Sequence, residues 1–244
     1  MRFPNDFQVD NRKLIEALIV ANRRLGVRLI DNCETRSLKI TEEKISGVNT
    51  SRGFVATERV LIAAGAWSSL IESADFVPVE PVRGQMLCFA APGFARHVIY
   101  SSRGYLIPRH DGRLLAGSTS ERVGFDKRLT DKGIETIRSM AFEIAPALQH
   151  RPLIDSWAGL RPRAQDGLPV LGAAQDVKGL FYATGHYRNG ILLAPITGKL
   201  MADAILSGKT SPLIESFAPQ RLSLNAKDEP LRPALAHSQS GCRG

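Results

Sequence analysis

Hydrophobic positions recur at helical spacing in three stretches of the chain. In "LIEALIVANRRLG" the apolar residues Leu14, Leu18, Ala21 and Leu25 share one face, and Gly26 is a normal helix terminus. A second amphipathic stretch, "TDKGIETIRSMAFEIAPAL", predicts a helix that Thr130 caps and Pro146 ends. The third, "ILLAPITGKLMADAILSG", predicts the last helix of the chain.

Short strand-like segments separate these helices. The pattern predicts a strand at "VRLIDN" and several more within residues 37–62, with turns at residues 46–47 and 51–53. The fully apolar "VLIAAG" is typical of a strand in a sheet that is buried on both faces. In the middle block, Asp111-Gly112 predicts a hairpin turn between "YLIPR" and "RLLAGS", within an antiparallel sheet.

The C-terminal third contains more glycine and proline. The segment "DSWAGLRPRAQDG" is interpreted as a loop, followed by strands at "LPVLG" and "LFYATG" and a glycine turn at "GHYRNG". From Pro219 onward the chain is polar and aperiodic, which predicts disorder.

Composition narrows the class of protein. With 43% hydrophobic and 23% charged residues, the 244-residue chain has the balance of a globular protein. The net charge of +8 comes from scattered basic residues, so we expect no nucleic-acid partner. Three cysteines without paired spacing favour a reducing cytoplasm, and no apolar run predicts a membrane span. The five histidines show no metal-ligand spacing.

Two arginines stand in segments of restricted conformation. Arg188 lies between two glycines, directly before a helix start near Gly190 whose positive dipole end suits an anion or a ring oxygen. Arg161 precedes a proline, which favours an extended backbone there. Together they could grip one acidic ligand, with Tyr105 lining the pocket. Spacing alone also fits an ordinary strand-to-helix connection at Arg188, a surface cation or a structural ion pair at either arginine, and a half-buried strand aromatic at Tyr105.

Five ordered motifs carry a resemblance to a known family. They are "VLIAAGAWSSLI", "PVRGQML", "YLIPRHDGRLLAGSTSE", "WAGLRPRAQDGLPVLG" and "LFYATGHYRNGILLAPITGKLMADAI". In this order they resemble FAD-dependent amine oxidoreductases of the D-amino-acid oxidase class, most closely the glycine oxidases of thiamine biosynthesis. The resemblance covers about residues 7–206.

The resemblance implies an α/β (α+β) fold in which an incomplete Rossmann-like FAD domain joins an antiparallel-sheet substrate-binding domain. Residues 1–75 would be the remaining part of the FAD domain, 76–157 the substrate domain, 158–208 the C-terminal part of the FAD domain and 209–244 a disordered tail. The activity implied is oxidative deamination of glycine or another small amino acid or amine, with oxygen as co-substrate. The products would be a 2-oxo acid, ammonia and hydrogen peroxide.

The family's site residues carry over by motif. Substrate binding would fall on three residues, Arg161, Arg188 and Tyr105. Contacts to FAD would fall on Thr35, Gly65, His186, Tyr187, Arg188, Asn189, Gly190, Ile191 and Leu192. No residue would act as a catalytic base, and a homo-oligomer is compatible with the resemblance.

One departure from the family is large. The sequence contains no GxGxxG turn for the FAD pyrophosphate, and it begins well inside the family pattern. We therefore expect the nucleotide-binding half to be missing, and weak FAD retention. Three readings stay open: a truncated amino-acid oxidase, a sibling such as a D-amino-acid dehydrogenase or sarcosine oxidase, and a silent remnant or a subunit whose partner supplies that half.

Overall fold

The computed structural model describes residues 7–72 and 77–223. The helices are α1 (Asn11–Arg24), α2 (Asp131–Ile144), α3 (Gly190–Ser207), α4 (Pro212–Glu215) and α5 (Gln220–Ser223), with 3₁₀ helices at Gly65–Leu70 and Pro146–His150. The strands are β1 (Thr35–Thr41), β2 (Lys44–Thr50), β3 (Gly53–Ala56), β4 (Val60–Ile62), β5 (Val79–Ala90), β6 (Ile99–Tyr100), β7 (Tyr105–Pro108), β8 (Arg113–Gly117), β9 (Leu153–Ala164), β10 (Val170–Ala173) and β11 (Leu180–Thr184).

The largest sheet is antiparallel and has five strands in the order β6-β7-β8-β5-β9. Helix α2 packs on it, and the core between them is closed by buried apolar side chains, among them Leu87, Leu114 and Ile137. The predicted hairpin joins β7 to β8, and Gly112 supplies the positive φ of its turn. The predicted cap of α2 is also present, because the Thr130 hydroxyl accepts a hydrogen bond from the Gly133 amide.

Two smaller sheets have three strands each. Strands β1, β2 and β3 form an antiparallel meander, while β11 pairs antiparallel with β10 and parallel with β4. Helix α3 packs on the second of these sheets, where Met201 is buried against Leu171 and Ile214. The carboxyl ends of the parallel strands β4 and β11 therefore meet at one edge of the sheet.

Several local predictions are wrong. Residues 27–32 form no strand. The turn predicted at residues 46–47 lies instead at Glu42 and Glu43, both with positive φ, because Thr41 pairs with Lys44 across a two-residue hairpin loop. Strand β4 is an edge strand rather than one buried on both faces, and Leu61 is 40% exposed.

The predicted loop at residues 155–164 is part of the long strand β9. Its residues pair with β5 almost without interruption, and this pairing extends the strand through the GLRP motif. Pro162 is tolerated because β9 is the edge strand of its sheet. The strand also runs across the domain boundary predicted between residues 157 and 158.

The predicted disordered tail is wrong for residues 209–223. Helices α4 and α5 lie there, and Ile214 and Leu222 are buried because they complete the apolar cores beside β10 and β11. The rest of the predicted tail, residues 224–244, lies outside the described residues. Within the described ranges, α3 is long and apolar enough by length and composition to cross a membrane, a test that core helices of globular proteins also pass.

Candidate functional site

Arg161 lies on β9 opposite Val82 of β5, and its guanidinium rests on the backbone of Gly84. A Cβ at position 84 would overlap the guanidinium, so glycine is required for this close approach. One terminal nitrogen of Arg161 donates to the Thr119 carbonyl at 3.1 Å, and the other donates to the Ser118 hydroxyl at 2.7 Å. These two bonds hold the guanidinium across the strand.

Arg161 is a half-buried cation whose two acceptors are both neutral. In contrast, Arg83 and Arg163, on β5 and β9, pair with Glu121 and Glu80. No carboxylate within the described residues pairs with Arg161. Its three remaining N–H groups are available for an anion, and a planar guanidinium can hold a carboxylate with two parallel hydrogen bonds.

Tyr105 lies beside this cation, at the start of β7. Its phenol donates to the Ser118 hydroxyl oxygen at 3.4 Å and approaches the Met86 sulfur at 3.6 Å. Arg161 and Tyr105 therefore share one acceptor, Ser118. The structure brings these two predicted substrate residues together through that serine.

The glycine turn after β11 is attached to the same region by backbone contacts. The Tyr187 amide donates to the Pro162 carbonyl at 2.7 Å, and His186 forms a β-bridge with Arg163. The Tyr187 phenol lies 3.3 Å from the Ser120 hydroxyl, so the turn also touches the segment that holds Arg161. Arg188, on the same turn, is exposed and makes no ion pair or side-chain hydrogen bond within the described residues.

His186 fixes this turn against α3. Its Nε2 lies 3.0 Å from the hydroxyl of Thr197, which is buried in the helix. Burial lowers the pKa of His186 below its ordinary value of 6.5, since a charged imidazole loses hydration there. The ring is therefore neutral at neutral pH.

The edge where β4 and β11 end combines polar backbone with exposed apolar side chains. The Thr184 hydroxyl donates to the Gly65 carbonyl at 3.1 Å, which links the two strand ends. Helix α3 begins at this edge, and the Asn189 side chain does not cap it, so its first amides have no intrahelical partner. Ile191 is 52% exposed and Leu192 79% exposed beside them. An apolar surface next to unpaired amides and a positive helix end suits a flat ring with an electronegative edge.

Most of the residues predicted to contact FAD lie at one strand edge, and Thr35 lies in a different sheet. Gly65 and residues 186–192 lie around the edge just described, whereas Thr35 pairs with Thr50 in the β1-β2-β3 sheet. Sequence reasoning missed Ser118, Thr119 and Glu121. The signal for them was the polar run "STSE" directly after the apolar strand "LLAG". Within residues 7–72 and 77–223, no group of three or more His, Cys, Asp or Glu could hold a metal ion.

These features define a protein with a half-buried cation held by neutral acceptors, beside a strand edge that suits a planar cofactor. The model of the family "FAD dependent oxidoreductase" matches residues 1–204, and the chain belongs to that family. The bifunctional protein ThiO/ThiG of Synechocystis sp. is 39% identical over 89% of this chain and 34% of its own length. A glycine oxidase of Pseudomonas aeruginosa is 39% identical over 85% of this chain and 57% of its own length.

The solved structures show the same architecture. The crystal structure of glycine oxidase from Geobacillus kaustophilus has a TM-score of 0.85 and 33% identity, and the match covers 90% of this chain and 60% of that one. The predicted fold class and family resemblance are confirmed. The chain spans between a third and three fifths of the length of these relatives.

Proposed function

We propose that this chain supplies the substrate-binding part of an FAD-dependent oxidase that deaminates glycine or another small amino acid or amine. The products are a 2-oxo acid, ammonia and hydrogen peroxide, and the setting is cytoplasmic thiamine biosynthesis. The names of the relatives support this assignment, because glycine oxidases and ThiO/ThiG proteins are among the similar proteins. The division into parts 1–75, 76–157 and 158–208 is a proposal as well.

The observation that carries the proposal is the half-buried Arg161, which has no acidic partner among the described residues. A substrate carboxylate would complete its hydrogen bonds and neutralise its charge. Tyr105 would line the pocket, and Arg188 on the neighbouring turn would add a second positive charge. Fixing the carboxylate orients the α-carbon, and such positioning supplies much of the rate of an amine oxidation.

The same chain provides one wall for the flavin. Residues 186–192 and Gly65 would hold the ring at the shared end of β4 and β11, and Thr35 would contact the adenine end. The start of α3 would place its positive dipole end at the polar edge of the ring, and Ile191 and Leu192 would exclude water from its face. Bound FAD would supply the oxidant that accepts a hydride from the α-carbon and passes electrons to oxygen. The imine product then hydrolyses in water.

A nucleotide-binding part must complete this site. Helix α1 has no buried residue, and apolar side chains on α1 and on the β4 edge are exposed. We infer that a further polypeptide segment carrying a GxGxxG turn covers this face, whether in the same chain or in a partner. A homo-oligomer is compatible with this arrangement.

The test is a substrate panel on the completed protein. The chain would be fused to the part of the Pseudomonas aeruginosa glycine oxidase that lies outside the match, loaded with FAD, and offered glycine, sarcosine, D-alanine and D-proline. Peroxide release identifies an oxidase, and reduction of an added dye without peroxide identifies a dehydrogenase. An FAD-loaded protein that oxidises none of these amines would overturn the proposed function.

A further inference from the structure

A buried polar network lies behind the cation site and fixes the segment that carries Ser118. Glu121 accepts hydrogen bonds from Arg83 at 2.6 Å, from Gln85 at 2.8 Å and from the Thr119 hydroxyl. Arg83 is only 4% exposed and Gln85 is fully buried, so these groups cannot exchange their partners for water.

The network also reaches the start of α2. The Gln85 side chain donates to the Thr130 hydroxyl and accepts from the Thr130 amide, both at 3.0 Å. Two backbone hydrogen bonds, at 2.8 and 2.9 Å, pair Arg83 with Glu121. Residues 118–121 are thus attached to β5 on one side and, through Gln85, to a helix cap on the other. Such a segment has little freedom to move when a ligand enters.

The hydrogen bonds of Ser118 leave one of its groups unassigned. A serine hydroxyl has two acceptor positions and one donor hydrogen. Arg161 donates to this oxygen at 2.7 Å, and the Tyr105 phenol, whose single hydrogen faces both this oxygen and the Met86 sulfur, lies 3.4 Å from it. The hydroxyl hydrogen is the remaining group, and it belongs to an oxygen held between the two residues proposed to bind the substrate.

We propose that Ser118 is a further ligand-binding residue, which donates its hydroxyl hydrogen to the carboxylate held by Arg161. The Arg83–Glu121–Gln85 network keeps the serine at that position. This inference rests on the proposed function, since it adds a donor to the same carboxylate site.

The structural alternative predicts the opposite effect of a mutation. If Ser118 served only as an acceptor for Arg161, Ser118→Ala would release an N–H of the guanidinium, and carboxylate binding would stay the same or become tighter. If Ser118 donates to the ligand, Ser118→Ala removes a hydrogen bond to a charged acceptor and weakens binding roughly tenfold. Ser118→Thr keeps the hydroxyl and should retain affinity within about threefold.

The experiment is a titration of the 244-residue chain with glycolate, a carboxylate without an amine, followed by NMR line broadening of the glycolate protons. We expect saturable binding for the wild type, loss of binding for Arg161→Ala, roughly tenfold weaker binding for Ser118→Ala and recovery in Ser118→Thr. Glu121→Gln should weaken binding severalfold, while Glu135→Gln, on the exposed face of α2, should not. Circular dichroism checks that each variant is folded.

The outcomes separate the two proposals. Wild-type binding that Arg161→Ala abolishes and Ser118→Ala leaves unchanged or strengthens overturns the role of Ser118, while the carboxylate site itself stands. Equal weakening in Ser118→Ala and Ser118→Thr also overturns it, since the hydroxyl would then be irrelevant. A wild type that does not bind glycolate overturns the carboxylate site and the inference together.

Discussion

At the residue scale, the first prediction concerns Arg161 in the completed, FAD-loaded protein. Arg161→Ala should raise KM for glycine sharply, a loss of about 2 to 5 kcal/mol in binding, because a desolvated charge pair is broken. Arg161→Lys keeps the charge but not the two-pronged donor geometry, so it should fall between alanine and wild type. Steady-state peroxide release measures both.

The matched control is Arg138→Ala, since the Arg138 side chain is 47% exposed on α2 and pairs with Glu135 of the same helix. Its KM should equal that of the wild type. An unchanged KM in Arg161→Ala would contradict the assignment of this arginine to the substrate.

A second residue-scale prediction follows from the lowered pKa of His186. Below pH 6.5 the unfolded chain takes up a proton at this histidine, whereas the folded chain resists it because the ring is buried. The free energy of unfolding should therefore fall as the pH falls from 6.5 toward the lower folded pKa. Urea denaturation between about pH 8 and about pH 5 should show a smaller fall in His186→Gln than in the wild type.

His110→Gln provides the comparison for this series, because His110 is exposed in the hairpin turn. Its pH dependence of stability should follow that of the wild type. Parallel curves for all three proteins would mean that burial of His186 has no part in the acid sensitivity.

A site residue could be predicted from the sequence where a local motif marks it, and could not where its position depends on long-range contacts. Arg161 was found from the GLRP motif, and its extended backbone followed from Pro162, but its strand was missed because pairing with β5 is a long-range interaction. Ser118 gave no local signal beyond its place in a polar run. Its importance comes from two donors that arrive from β7 and β9, which no local pattern reveals.

At the element scale, the cap of α2 is the testable feature. Thr130→Ala should lower the free energy of unfolding by about 1 to 2 kcal/mol, since it removes the acceptor for the Gly133 amide at the helix start. The same hydroxyl accepts from the buried Gln85, so one of the two amide N–H groups of Gln85 would then lack an acceptor while the other still donates to Glu121, and the loss should lie at the upper end of that range. Thermal or urea denaturation of the purified chain measures it.

Thr136→Val is the control within the same helix, because the Thr136 hydroxyl donates only to the Lys132 carbonyl on the exposed side. Its stability should stay within about 0.5 kcal/mol of the wild type. Equal effects of the two substitutions would show that the cap and the Gln85 contact add nothing to the stability of α2.

Helix caps and turns that depend on neighbouring residues in the sequence were predictable, whereas the position of a strand within its sheet was not. The Thr130 cap and the Asp111-Gly112 turn depend on residues close in sequence, and both are present. Strand β4 was expected to be buried on both faces, but burial requires a neighbouring strand, and the described residues supply one on only one side. The apolar pattern of β4 is therefore typical of a strand with a neighbour on each side, whereas β4 is the edge strand of the sheet that the described residues form.

At the scale of the whole molecule, the last prediction concerns the exposed apolar face and FAD. The face comprises the apolar side chains of α1 together with Leu61 on β4 and Trp67 and Leu70 beside it. Exposed apolar side chains in this number favour self-association, and the sequence contains no GxGxxG turn to hold a pyrophosphate. The 244-residue chain should therefore associate in a concentration-dependent way and emerge from purification without stoichiometric flavin.

Sedimentation velocity over a range of concentrations measures the association, and the visible flavin band after FAD loading and desalting measures retention. The fusion that restores a nucleotide-binding part should cover the same face. Its oligomeric state should therefore no longer depend on concentration, and it should retain about one flavin per chain. Introducing a charged side chain at Leu18 of α1 and at Leu25, the C-cap that follows it, should reduce self-association of the 244-residue chain without restoring flavin, because solubility and the pyrophosphate cradle are separate requirements. Stoichiometric flavin in the 244-residue chain alone would show that the edge at the start of α3 and the Gly65 turn bind FAD without that cradle.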